Sequence, residues 1–265
     1  MGRSAERPSR FEDHEYPQVI PEPDDVKLGG PAPWAHLDAS VKTQRTLSVV
    51  TQCLHERGRT FDVASIPDMS SDLEGISEAN RRLITRKSAV LVALFEEDVE
   101  THVVLTRRSF SLRSHRGEIA FPGGRSDIDE TPVETALREA HEEVGLEGSL
   151  VSPVGWLSPI ITFASGSAIW PVVGVLERRP TLTADPAEVE RVFTTPLSAL
   201  LEEGAFLEER WRRERRRGGD ENGYLPIYFY RVPGDVIWGA TARVLTELLC
   251  CVTGVAWPEA YGLGV

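Results

Sequence analysis

Three glutamates, Glu139, Glu142 and Glu143, stand in the run Arg138-Glu-Ala-His-Glu-Glu-Val-Gly-Leu146. On a helix they fall within about 100° of one another, beside an apolar stripe of Val133, Ala136, Leu137, Ala140 and Val144. Like charges three and four residues apart repel, and these gather near the negative end of the helix dipole, so local stability does not account for them. A bound divalent cation would. Oxygen ligands of this kind suit Mg²⁺ or Mn²⁺, which can bridge phosphate oxygens and prepare a water for attack. Taken alone, an acidic helix more often marks a solvated face, so the neighbouring residues must decide. Arg138 is placed to tether one of the acids and the preceding loop.

The elements that must position these groups are legible around them. Thr131, Pro132 and Glu134 form a capping box with proline at the first helical position, and Gly145 suits the residue just past the end, so a helix is expected over 131–144. Residues 89–95 and 101–106 are β-branched runs across the acidic turn 96–100, the pattern of a strand pair. Further strands are expected at 150–157, 169–176 and 225–230, and further helices at 38–57, 187–201 and 240–251. Strands and helices mix at irregular intervals, without a repeated βαβ unit, which favours an α+β fold.

The chain has 265 residues, 41% hydrophobic, and a net charge of −12. That is globular composition, with a poor global field for nucleic acid or an anionic membrane. No apolar run is long enough to span a bilayer, and the N-terminus lacks the apolar core of a secretory signal. Cys53, Cys250 and Cys251 are odd in number and two are adjacent, which fits neither a disulfide framework nor a zinc spacing, so a reduced, cytoplasmic chain is expected. Residues 1–33 hold six prolines and seven acids. They read as an arm, flexible or draped across the body or a second copy in a homodimer. Six arginines between Arg210 and Arg217 read as a solvated hairpin rather than a phosphate or RNA contact.

Gly124, Glu130, Arg138, Glu139, Ala140, Glu142, Glu143, Gly145 and Leu146 match every defined position of the Nudix box, nine positions at fixed spacing, and the chain resembles the Nudix hydrolases. Leu105, Thr106, Arg108, Ser109, Arg113, Gly117, Phe121, Pro122, Gly123 and Gly124 resemble the signature of the coenzyme A pyrophosphatase-like subfamily. Its downstream features recur approximately at 165–166, 171–174 and 237–241, though Ser167 stands where that subfamily tends to place an aromatic.

The resemblance implies a Nudix α/β/α sandwich with a mixed β-sheet over 86–265, the box at 124–146, and an N-terminal helical extension over 34–85. It implies metal-dependent hydrolysis of the diphosphate bond of coenzyme A or its derivatives, giving 3′,5′-ADP and 4′-phosphopantetheine. ADP-ribose, a dinucleotide or a damaged nucleotide is the alternative substrate. A non-catalytic binding module is the rival, but loss of box acids would mark it. The family's metal positions fall on Glu139, Glu143, Glu142 and the carbonyl of Gly123. Catalytic work falls on Glu142, Glu143, Arg138 and Glu188, with the general base open between Glu142 and Glu188. Arg108, Arg113, Ser109 and Gly117 are the expected substrate contacts, and Arg107 and Arg116 add local cations. The implied partner is a small nucleotide, with neither membrane nor nucleic acid expected.

Overall fold

The structure is a computed structural model that describes residues 18–21, 23–42, 46–61, 84–162, 166–212 and 223–257. Its centre is a mixed eight-stranded sheet. Strands β2 (Arg86–Glu97) and β3 (Glu100–Arg108) form the expected antiparallel pair, and β2 runs parallel to β8 (Ser167–Leu176) on its other side. β6 (Val151–Trp156) and β7 (Ile160–Thr162) pair with β8. The short β4 (Ile119–Ala120) pairs with β3, and β5 (Gly123–Arg125) with β2.

Side-chain alternation divides the core between the two sheet faces. Ala89, Leu91, Ala93, Phe95 and Val104 pack with Val133, Ala136, Ala140 and Val144 of the helix α3 (Pro132–Val144). Val92, Leu94, Val103 and Leu105 face the other way, toward α2 (Leu47–Glu56) and α5 (Gly239–Thr253). Helices on both faces of a mixed sheet make the α+β sandwich that the sequence suggested.

Residues 189–196 are the strand β9 (Val189–Pro196) rather than the start of a helix, and only α4 (Leu197–Leu201) is helical there. Its apolar spacing fits either period. Val189, Val192 and Phe193 are strand formers, and pairing with β3 settles the outcome.

A second, antiparallel sheet follows in the order β1-β10-β11-β12, where β10 is Phe206–Arg212, β11 Tyr224–Val232 and β12 Asp235–Trp238. Its first strand, β1 (Val26–Leu28), comes from the N-terminal arm. Asp25 accepts hydrogen bonds from Arg212 and from the Tyr224 hydroxyl, and Lys27 lies 3.9 Å over the Tyr224 ring. A few residues on, Trp34 is 1% exposed among Phe206 and Tyr230. The described part of the arm is thus seated on the body. The extension contributes α2 and a short α1 (Ala39–Lys42). Arg210 pairs with Glu208, and Arg212 with Asp25, whereas Arg213 and Arg215 to Arg217 lie outside the described residues.

The cysteine reading is corrected. Cys53 of α2 and Cys251 of α5, 198 positions apart in sequence, form a disulfide with Cα atoms 5.8 Å apart. Adjacent helical residues point about 100° apart, so Cys251 can face α2 while Cys250 turns into the core. Burial pushes the free Cys250 thiol up to about 12. The pairing removes the argument for a reducing compartment that unpaired thiols had supplied.

Candidate active site

The helix α3 begins where its capping box dictates. Thr131 Oγ1 accepts from the Glu134 amide, and the Glu134 carboxylate accepts in return from the Thr131 amide at 2.8 Å. Gly145, in a left-handed conformation, closes the other end. Between these fixed ends Arg138 is the hub of a carboxylate clasp. Its Nε donates to Glu130 at 2.7 Å, its Nη1 to Glu139 and Glu142 at 3.0 and 2.9 Å, and its Nη2 to the Arg125 carbonyl at 3.0 Å. The Arg138 bond, helped by the Asp127 amide and the Thr135 hydroxyl, holds the Glu130 carboxyl down to about 2.

Glu143 is handled in the opposite way. It is 2% exposed, and burial pushes its carboxyl up to about 7. One oxygen accepts from the Gly123 amide at 3.1 Å and the other faces Arg108 Nη1 at 3.5 Å. Glu139 is also raised, first by burial, with Glu142 and Glu188 adding like charge. The backbone is shaped to admit these groups. A Cβ at Gly124 would stand 2.4 Å from the Glu139 carboxylate, and one at Gly123 would stand 2.4 Å from the Ala89 carbonyl. The two glycines thus let a strand lie directly against the acids.

Glu188 is exposed, without a side-chain partner among the described residues, and near enough to Glu139 and Glu143 to raise both. Its carbonyl accepts from the Ser109 amide, which joins it to the end of β3.

A NUDIX domain family model matches residues 85–216. "Uncharacterized Nudix hydrolase NudL" of Photorhabdus laumondii is 38% identical over 164 residues, covering 62% of this chain and 83% of that protein. The chain belongs to the Nudix hydrolase family. The protein of the same printed name from Yersinia enterocolitica is 37% identical over 199 residues, 74% of this chain and 95% of that one. "Nudix hydrolase 22, chloroplastic" of Arabidopsis thaliana is 40% identical over 176 residues, 64% of this chain, which spans 56% of the plant protein's length. Nudix hydrolases are pyrophosphatases that act on small nucleotide substrates and generally use divalent ions such as Mg²⁺ or Mn²⁺.

The donor set of this Nudix site fits such an ion. Its atoms are carboxylate oxygens, two of the carboxylates sit in surroundings that penalise their charge, and Arg108 at 3.5 Å is the one cation facing Glu143 among the described residues. Among the described residues no three acidic, imidazole or thiol groups already enclose an ion, and Arg138 bonds both Glu139 and Glu142.

The remaining expected site residues lie in or beside the loop 109–118, which joins β3 to β4. Arg113 and Arg116 are exposed, and His115, also exposed, pairs through Nδ1 with Glu118 at 3.0 Å, which raises its pKa. Ser109 and Gly117 are buried and shape the loop. The Ser109 hydroxyl bonds that of Ser111 at 2.8 Å, and Gly117 lies against the Phe110 ring. Arg107 is not a cation for substrate. Its side chain is 4% exposed and ion-paired with Asp235, on the far face of the sheet from Arg108. The alternation that puts Val103 and Leu105 on the α5 face carries Arg107 there too, a signal present in the sequence.

The longest described helix, α5, is neither long nor apolar enough to cross a membrane, and the same holds for every described helix.

Proposed function

We propose that the chain hydrolyses the diphosphate of coenzyme A or its derivatives, giving 3′,5′-ADP and 4′-phosphopantetheine or its acylated form. The observation that carries this reading is the ordered loop 109–118 next to the carboxylates. Its backbone is fixed by Gly117 N to Arg108 O at 3.1 Å and Arg108 N to Glu118 O at 3.0 Å, and it presents Arg113 and Arg116 to solvent. Guanidinium forks suit a substrate with a diphosphate and a separate 3′-phosphate.

In this reading Glu139 and Glu143, with Gly123 beside them, hold the divalent ion, which neutralises charge on the diphosphate oxygens when bound. A water attacks one phosphorus in line and the bridging oxygen leaves with the other phosphoryl group. The exposed Glu188 takes the water's proton. Glu142 is the other candidate base, but its carboxylate is engaged by Arg138 at 2.9 Å, whereas Glu188 has no side-chain partner among the described residues. Arg138 orients the acids, and Arg108 and Arg113 meet phosphate.

The deciding experiment incubates the protein, with Mg²⁺ or Mn²⁺, with coenzyme A, acetyl-coenzyme A, NADH, ADP-ribose and diadenosine polyphosphates. Release of 3′,5′-ADP from coenzyme A at the highest kcat/KM supports the reading. Preference for another member of the panel replaces the substrate. Replacing Arg113 by Ala should lower kcat/KM roughly ten- to a hundredfold on coenzyme A, and less on 3′-dephospho-coenzyme A if the guanidinium reads the 3′-phosphate.

A further inference from the structure

Asp235 lies in β12, outside every motif that marks the site, and is held as few carboxylates are. Its side chain is 2% exposed, one oxygen bonds Arg107 of β3 and the other bonds Arg191 of β9. Arg107 also donates to the Gly234 carbonyl in the turn before β12 at 3.1 Å. Arg107 and Arg191 are register partners, and the β3–β9 ladder shifts immediately after them, where Arg108 pairs with Val189. That shift is where both strands deliver residues to the site. Arg108 follows Arg107 and crosses to the opposite face to meet Glu143, while Glu188 precedes β9 and is bonded through its carbonyl to Ser109. A trio built on a buried carboxylate and a buried guanidinium is a poor source of net stability, since apolar side chains of similar volume hold strands together as well. It does fix geometry, because the bonds have direction.

We propose that Asp235 is a positioning residue that grips β3 and β9 from behind and thereby sets where Arg108 meets the reacting phosphates. The inference rests on the hydrolase reading above. The substitution Asp235→Asn keeps the shape and removes the charge. On whichever panel substrate the wild type hydrolyses, it should lower kcat/KM about tenfold, and Asp235→Glu should recover part of the loss. In an Arg108→Ala background the same Asn substitution should cost less than about twofold, because the group it aims is gone. Asp25→Asn, which breaks the Arg212 pair elsewhere on the second sheet, should leave kcat/KM within about twofold in both backgrounds. Equal losses from Asp235→Asn with and without Arg108, or no loss at all, overturn the proposal. Should Asp235→Asn fail to fold by circular dichroism, Arg191→Gln, which removes the half-exposed member of the trio, is read in the same two backgrounds with the same expectations. Absence of hydrolysis by the wild type on the whole panel counts against the hydrolase reading instead.

Discussion

Glu130, just before α3, and Glu143, in its last turn, meet opposite treatment. Glu130 accepts from a guanidinium, a backbone amide and a hydroxyl, and its carboxyl is held down to about 2. Glu143 is almost fully buried, has one amide and one arginine at 3.5 Å, and is pushed up to about 7. A carboxylate satisfied on all sides has nothing left to offer a ligand, whereas one denied solvent and partners gains most when a cation arrives. The first is scaffold, and its satisfaction lets the second stay unsatisfied at a fixed place.

The sharpest way to break the contrast is to neutralise each acid in turn. Glu143→Gln should cost roughly a hundredfold or more in kcat, while thermal melting of the metal-free protein stays level or rises, because a buried charge has been removed. Glu130→Gln should lower stability by about 1–2 kcal/mol in denaturant titration, because Arg138 loses one of its three charged partners. Arg138→Lys keeps the charge but not the fork, and a loss on the order of 1 kcal/mol is expected in the same titration.

The same contrast should appear as a pH dependence. Between the ordinary carboxylate value and about 7, the folded protein holds a proton on Glu143 that the unfolded chain has released, so metal-free stability falls as pH rises through that window. Glu130 works in the reverse sense, and its contribution is lost as pH falls below the ordinary value toward about 2. Melting curves from pH 3 to 8, with and without Mg²⁺, should show both slopes, and Glu143→Gln should flatten only the upper one.

Local chemistry made much of this legible in advance. The capping box, the stripe on α3 and the glycines before it are short-range rules, and they place the acids on one face of one helix. The loop glycine and serine could be singled out but not their inward orientation, which depends on Phe110 and Ser111. What stayed hidden was set by distant partners. Strand β9 took its form from the edge of β3, β1 from the edge of β10, and the disulfide from two helices at opposite ends of the described chain. The tether from Arg138 to an acid and to the preceding loop was readable in advance, but not that it would hold Glu139 and Glu142 together.

The packing of α2 against α5 bears on the order in which the protein can be made. Val50 and Leu54 share their core with Leu245, Leu248 and Leu249, and Cys53 is bonded to Cys251. Synthesis is vectorial, so α2 leaves the ribosome with a bare apolar face and waits while nearly two hundred residues follow it. The strand pair and the box helix are contiguous and can form in the interval. The N-terminal helix cannot dock on its final neighbour until α5 emerges, which makes completion of this half of the core a late, long-range event. Nascent chains halted before α5 would carry that exposed helix as a natural target for chaperones.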